Sequence, residues 1–143
     1  MLWALHTTAR QAGRLDDMRQ ATTMTTTTTA NVDITTLRHA VRGAVLAPGD
    51  EGWDGERTPW NVAFEQQPAL IVVPQSSHDV QAAVLFAQAN GLRVAAQGTG
   101  HGVATLGDLS DAVLIRTHEL RGVEIDAAAR QARVGAGVLW EEV

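Results

Sequence analysis

Hydrophobic positions along this chain change their spacing at sharply marked places, and those changes predict the elements. Leu70-Ile71-Val72-Val73 is an unbroken apolar run between Pro68 and Pro74. Such a run predicts a strand buried on both faces, as in a parallel sheet. The spacing then turns helical, with apolar Val80, Ala83, Val84 and Ala87. Ser76 is a good N-cap for that helix, Asp79 complements its positive end, and Gly91 suits a left-handed C-terminal cap. Leu92 to Ala96 predicts a second strand, which closes a β-α-β unit. In open α/β sheets, ligands bind beyond the carboxyl ends of such strands.

Before this unit, Thr35 to Val41 predicts a short helix. Val45-Leu46-Ala47 predicts a strand ended by Pro48-Gly49-Asp50, and Trp53 to Asn61 reads as irregular. After it, Ala112-Val113-Leu114-Ile115 predicts another strand. Val123 to Asp126 and Gln131 to Val134 alternate as the arms of an antiparallel hairpin. Gly135-Ala136-Gly137 is a second glycine pivot, and Val138 to Val143 reads as the opening of a helix. So short an opening suggests that the sequence stops inside a domain. At the other end, Thr22 to Thr29 is seven threonines broken only by Met24. A tract without period or large side chains predicts disorder over residues 1–33, with Met18 and Met24 as alternative starts and folded sequence from residue 34.

Composition narrows the class. Apolar residues make up 45% of the 143, which suits one globular core. The net charge of −5 and the lack of a basic run argue against a nucleic-acid surface. No apolar stretch reaches the length of a membrane span, and the short apolar start lacks the basic flank of a signal peptide. The chain has no cysteine, which removes disulfides, thiolate metal sites and thiol catalysis and suits a reducing, cytoplasmic setting.

The candidate chemistry lies in Gln97-Gly98-Thr99-Gly100-His101-Gly102, directly after the second predicted strand. Glycines let successive N–H groups converge on one anion. An imidazole at such a turn is a nucleophile, a proton carrier or a metal ligand. Val103 stands where a G-x-G-x-x-G fingerprint needs its last glycine, and no Gly-Lys-Ser/Thr follows, so neither a dinucleotide fingerprint nor a P-loop is present. His6, His39, His78 and His118 lack such a context and read as surface residues. None is at metal-ligand spacing. Trp60 and Trp140 read as packing residues. Asp50, Asp54 and Asp108 read as turn and cap residues, with no carboxylate pair placed for acid/base work.

Taken in order, Pro48-Gly49-Asp50, Trp60-Asn61, Pro68 through Pro74, Asp79-Val80, Gly91-Leu92, Gly98-Thr99-Gly100-His101 and Gly135-Ala136-Gly137 with Trp140 resemble the amino-terminal part of FAD-linked oxidases. The narrower resemblance is to the berberine-bridge-enzyme and 6-hydroxynicotine-oxidase group with its PCMH-type FAD domain, over about residues 40–143. It implies an α+β fold, with residues 34–143 forming the first α/β subdomain and the start of the second. It implies FAD as cofactor, bound by Gln97, Gly98, Thr99, Gly100, His101, Gly102, Gly135 and Gly137, with the flavin 8α-methyl carried on His101. An arginine common near the start of this loop is replaced by Gln97. The substrate domain, with its base and small-molecule substrate, would lie in further sequence, so no catalytic residue is named. Two other readings stay open: a non-catalytic truncated remnant or fragment without stable flavin binding, and a small stand-alone nucleotide-binding module, against which the abrupt end at Val143 argues.

Overall fold

The central feature is a mixed four-stranded sheet of order β1-β2-β4-β3, seen in a computed structural model that describes residues 33–143. The expected disorder and the alternative starts fall in residues 1–32, outside the described residues. The strands are β1 (Ala44–Leu46), β2 (Leu70–Val73), β3 (Arg93–Gln97) and β4 (Ala112–Arg116). β1 runs antiparallel to β2, whereas β2 and β3 both pair parallel with β4. β4 therefore lies between the two strands of the predicted β-α-β unit. The overall class is α+β, with mixed and antiparallel sheets.

The two inner strands are apolar at every core position because both faces are covered. Leu70 and Val72 of β2, with Val113 and Ile115 of β4, pack under helices α1 (Thr35–Ala40) and α3 (Ser77–Ala89). Ile71 and Val73, with Ala112 and Leu114, face the other side, against Trp53 and Leu109. Ile71 and Leu114 are fully buried, each stabilising by roughly 1.5–3 kcal/mol. Ala83 and Ala87 are the fully buried positions of α3, and their small side chains let the helix approach the sheet closely.

The ends of α3 follow the sequence closely. Ser76 Oγ accepts from the Asp79 N–H at 3.3 Å and donates to Asp79 Oδ1 at 3.0 Å. Asp79 Oδ2 also accepts from the N–H groups of Gln75 at 2.9 Å and Gly43 at 3.2 Å, tying the start of α3 to the entry of β1. Burial alone would raise the Asp79 carboxyl, but these bonds, with one from the Arg42 backbone, outweigh it and hold it below the usual carboxylate range. At the far end Gly91 has φ +65°, Gly91 N–H donates to Gln88 O and Leu92 N–H donates to Ala87 O, which is a Schellman cap.

Three sequence expectations change. Trp53–Arg57 is a short helix, α2, within the stretch read as irregular, with Trp53 buried in the core. The predicted helix opening at Val138 is a single 3-10 turn, Trp140–Glu142. Trp60 and Trp140 are 69% and 85% exposed, so neither packs in the core as expected. The hairpin forms as predicted, β5 (Val123–Asp126) against β6 (Gln131–Val134), as a separate two-stranded sheet.

Candidate functional site

The parallel strands β3 and β4 end side by side, with Gln97 and Arg116 as register partners. From these two ends the chain departs into the glycine loop and into a 3-10 turn, Thr117–Glu119. The segment after β6 returns to the same place: Thr117 Oγ1 donates to Ala136 O at 3.0 Å, and Gly137 N–H donates to Leu120 O at 3.0 Å. Between them lies an open cavity of about 540 Å³. Gly98, Thr99 and His101 line one side of it, and Gly137, Leu139 and Trp140 another. Arg116, His118 and Arg121 give it a basic side.

Three of the predicted glycines, Gly100, Gly135 and Gly137, are close-approach residues. Gly100 has φ +91°, and a Cβ there would lie 2.7 Å from Pro59 Cβ. At Gly137 a Cβ would lie 2.2 Å from Thr117 O, and at Gly135 it would lie 2.2 Å from Leu120 O. The loop is braced from outside by Trp60, whose N–H donates to Thr99 O at 2.9 Å. The N–H groups of Thr99, Gly100, His101 and Gly102 donate to no acceptor among the described residues. Of these, Thr99 and His101 lie at the rim of the cavity.

His101 is exposed at this rim. Its Nδ1 lies 2.6 Å from Thr99 Oγ1, and its ring centroid is 4.4 Å from that of Trp60. The hydroxyl and the indole hold the imidazole from two sides. Gln97 is buried beneath the loop, where its Oε1 accepts from Gln66 Nε2 at 2.9 Å and its own Nε2 has no partner among the described residues. Of the predicted residues, Gly98, Thr99, His101 and Gly137 line the cavity, while Gln97 and Gly100 lie behind it in the loop. Gly102 is exposed at the far end of the loop, and Gly135 lines a different depression, beside Ser76 and Leu120.

Sequence reasoning missed the basic side of the cavity. Arg116 is 9% exposed, and its Nε and Nη1 make no hydrogen bond among the described residues. Its nearest acid is Glu56, at 3.5 Å from Nε. His118, read as a surface residue, is half-buried at the cavity between Glu56 at 3.6 Å and Glu119 at 3.7 Å. The available signal was an arginine closing the apolar run of β4, a position that faces the ligand end of a parallel strand. His39 and His78 are exposed, and His6 lies outside the described residues. Asp50 accepts from the Ala47 N–H and also pairs with Arg38 of α1, while Asp54 pairs with Arg57 within α2 and Asp108 accepts from Ser110. Among the described residues no three acidic, His or Cys side chains converge on a metal position.

Comparison with known proteins decides the family. Residues 68–143, more than half of the chain, match the family described as FAD binding domain. The chain belongs to that family. It is a PCMH-type domain of the berberine-bridge-enzyme and 6-hydroxynicotine-oxidase kind. It is 29% identical over 100 residues to (R)-6-hydroxynicotine oxidase of Paenarthrobacter nicotinovorans, covering 70% of this chain and 22% of that one. It is 37% identical over 57 residues to glucooligosaccharide oxidase of Sarocladium strictum, covering 40% of this chain and 11% of that one. The crystal structure of 6-hydroxy-D-nicotine oxidase from Arthrobacter nicotinovorans superposes with a TM-score of 0.64 at 28% identity, over 71% of this chain and 22% of that one. Physcomitrella patens BBE-like 1 superposes with a TM-score of 0.61 at 27% identity, over the same shares. The chain thus spans about a fifth or less of the length of the curated relatives it matches.

Proposed function

We propose that this domain holds FAD as part of a flavin-dependent oxidase, with the flavin carried on His101. The observation that supports this most is the placement of His101. It is the histidine of the glycine loop, exposed at the cavity rim and held in one orientation by Thr99 and Trp60. The residues present suit the cofactor. The loop offers free N–H donors to a diphosphate, and the close approach of Gly137 to Thr117 shapes a wall that a side chain would distort.

When bound, the flavin supplies hydride acceptance from a small organic donor and return of the electrons to oxygen. The chain's own residues do the binding and orienting. Thr99 fixes the plane of the imidazole, and Trp60 covers one of its faces from solvent. The alternating glycines of this loop leave room for the backbone donors between Thr99 and His101. Relatives are named as oxidases of a hydroxynicotine and of glucooligosaccharides, so the donor class is a small molecule with an oxidisable carbon.

The test is denaturation of the protein purified from its own host. Acid-precipitated wild-type protein should stay yellow, whereas His101→Ala should give a colourless pellet and release its flavin to the supernatant. A yellow pellet from the variant would overturn the role of His101.

A further inference from the structure

We propose that Arg116 is the residue that fixes the diphosphate of the flavin cofactor in this cavity, a step beyond the flavin reading on which it rests. The position comes from register. Arg116 ends β4 beside Gln97, which ends β3 at the base of the glycine loop. A guanidinium on one strand therefore stands next to the free N–H groups that leave the other.

Arg116 is 9% exposed, yet its Nε and Nη1 lack partners among the described residues. Glu56, at 3.5 Å, is well beyond the roughly 2.7–2.9 Å of a charge-assisted hydrogen bond. An arginine cannot escape burial by losing its proton, and its long ion pair with Glu56 leaves buried guanidinium donors without a hydrogen bond, which is unfavourable. The fold thus keeps a permanent cation with spare donors beside a cavity. The other permanent cation at the cavity, Arg121, is committed. Arg121 Nη1 donates to both carboxylate oxygens of Glu142, at 2.7 and 2.9 Å, and His118 lies between Glu56 and Glu119.

The ligand that satisfies both donor sets is an anion with several oxygens. The planar fork of a guanidinium matches two phosphate oxygens, and the loop N–H groups reach others. A lone carboxylate would occupy the fork and leave the loop donors unused. Gln97, neutral and turned into its pair with Gln66, cannot supply the charge from the loop itself. Arg116 supplies it from the neighbouring strand.

The test is calorimetric titration of the full chain, and of Arg116→Gln and Arg116→Lys, with FAD, riboflavin and inorganic pyrophosphate, together with thermal unfolding of the ligand-free proteins. Arg116→Gln should weaken FAD and pyrophosphate by roughly thirtyfold, the scale of a charged hydrogen-bond pair, and leave riboflavin unchanged. Arg116→Lys, which keeps the charge and loses the fork, should fall between. The unfolding midpoint of Arg116→Gln should stay close to wild type, because the pair lost is long and Glu56, partly exposed, keeps His118 beside it. Undiminished FAD and pyrophosphate affinity in the variant would overturn the proposal. So would equal weakening of FAD and riboflavin, or a lowered midpoint with every ligand weakened alike. Pyrophosphate binding that needs Arg116 in a chain that binds no flavin would keep the anion site and remove the flavin reading. A wild-type chain that binds none of the ligands would remove both.

Discussion

At the scale of the residue, Asp79 does more than its helix requires. It is fully buried, exchanges hydrogen bonds with the N-cap Ser76, and accepts from Gly43 and Gln75, so one carboxylate joins the entry of β1 to the start of α3. The sequence made it a helix-start residue, which it is. The link to Gly43 was hidden because it spans 36 residues, and no local pattern encodes such a contact. Asp79→Ala should destabilise the domain by about 3 kcal/mol, since buried N–H donors lose their acceptor. The pH dependence has a definite sign. Its carboxyl is lowered in the folded state, so its stabilisation is complete above the unfolded value of about 3.9 and is lost as pH falls through the folded value. Denaturant unfolding between neutral and acid pH should show wild type losing its advantage over Asp79→Ala in that acid window. A difference between the two that holds constant to the lowest pH would refute the assignment.

At the scale of the element, legibility followed burial. β2 was evident because a strand covered on both faces must be apolar throughout, and α3 because both of its ends carry capping signals. α2 was not evident. Trp53-Asp54-Gly55-Glu56-Arg57 has one buried apolar residue and no period, and the turn is held by that tryptophan and by Arg57 against Asp54 and Glu65. The hairpin β5–β6 was legible from alternation, yet alternation did not mean a buried face. Every residue of β5 is exposed, with Ile125 at 64%. A lone two-stranded ribbon is marginal in water. Amide hydrogen exchange should therefore be roughly a hundredfold or more faster in β5 and β6 than in β4, whose residues are all buried. Equal protection in the two regions would show that the hairpin is covered in solution.

At the scale of the molecule, the site exists because β4 lies between β2 and β3. That order brings Arg116 beside Gln97, and it could not be read from the sequence, since strand neighbours are set by packing across the whole sheet. The glycine loop and His101 were legible because their chemistry is local. The basic wall opposite was not, because it is built from a strand end and from the turn after it. Trp60 and Trp140 show the same limit. Aromatic residues usually enter cores, but both stand exposed, Trp60 against His101 on the outside of the loop and Trp140 in the cavity lining.

The central claim is that flavin is joined to the chain at His101, and peptide mapping of the protein from its own host addresses it directly. Trypsin cuts after Arg93 and Arg116, and the peptide between them contains His101 as its one histidine and no cysteine. This peptide should carry the mass and the visible absorbance of the flavin, with fragmentation placing the adduct on His101. Flavin found on another peptide, or this peptide recovered unmodified from protein that stays yellow after denaturation, would contradict it.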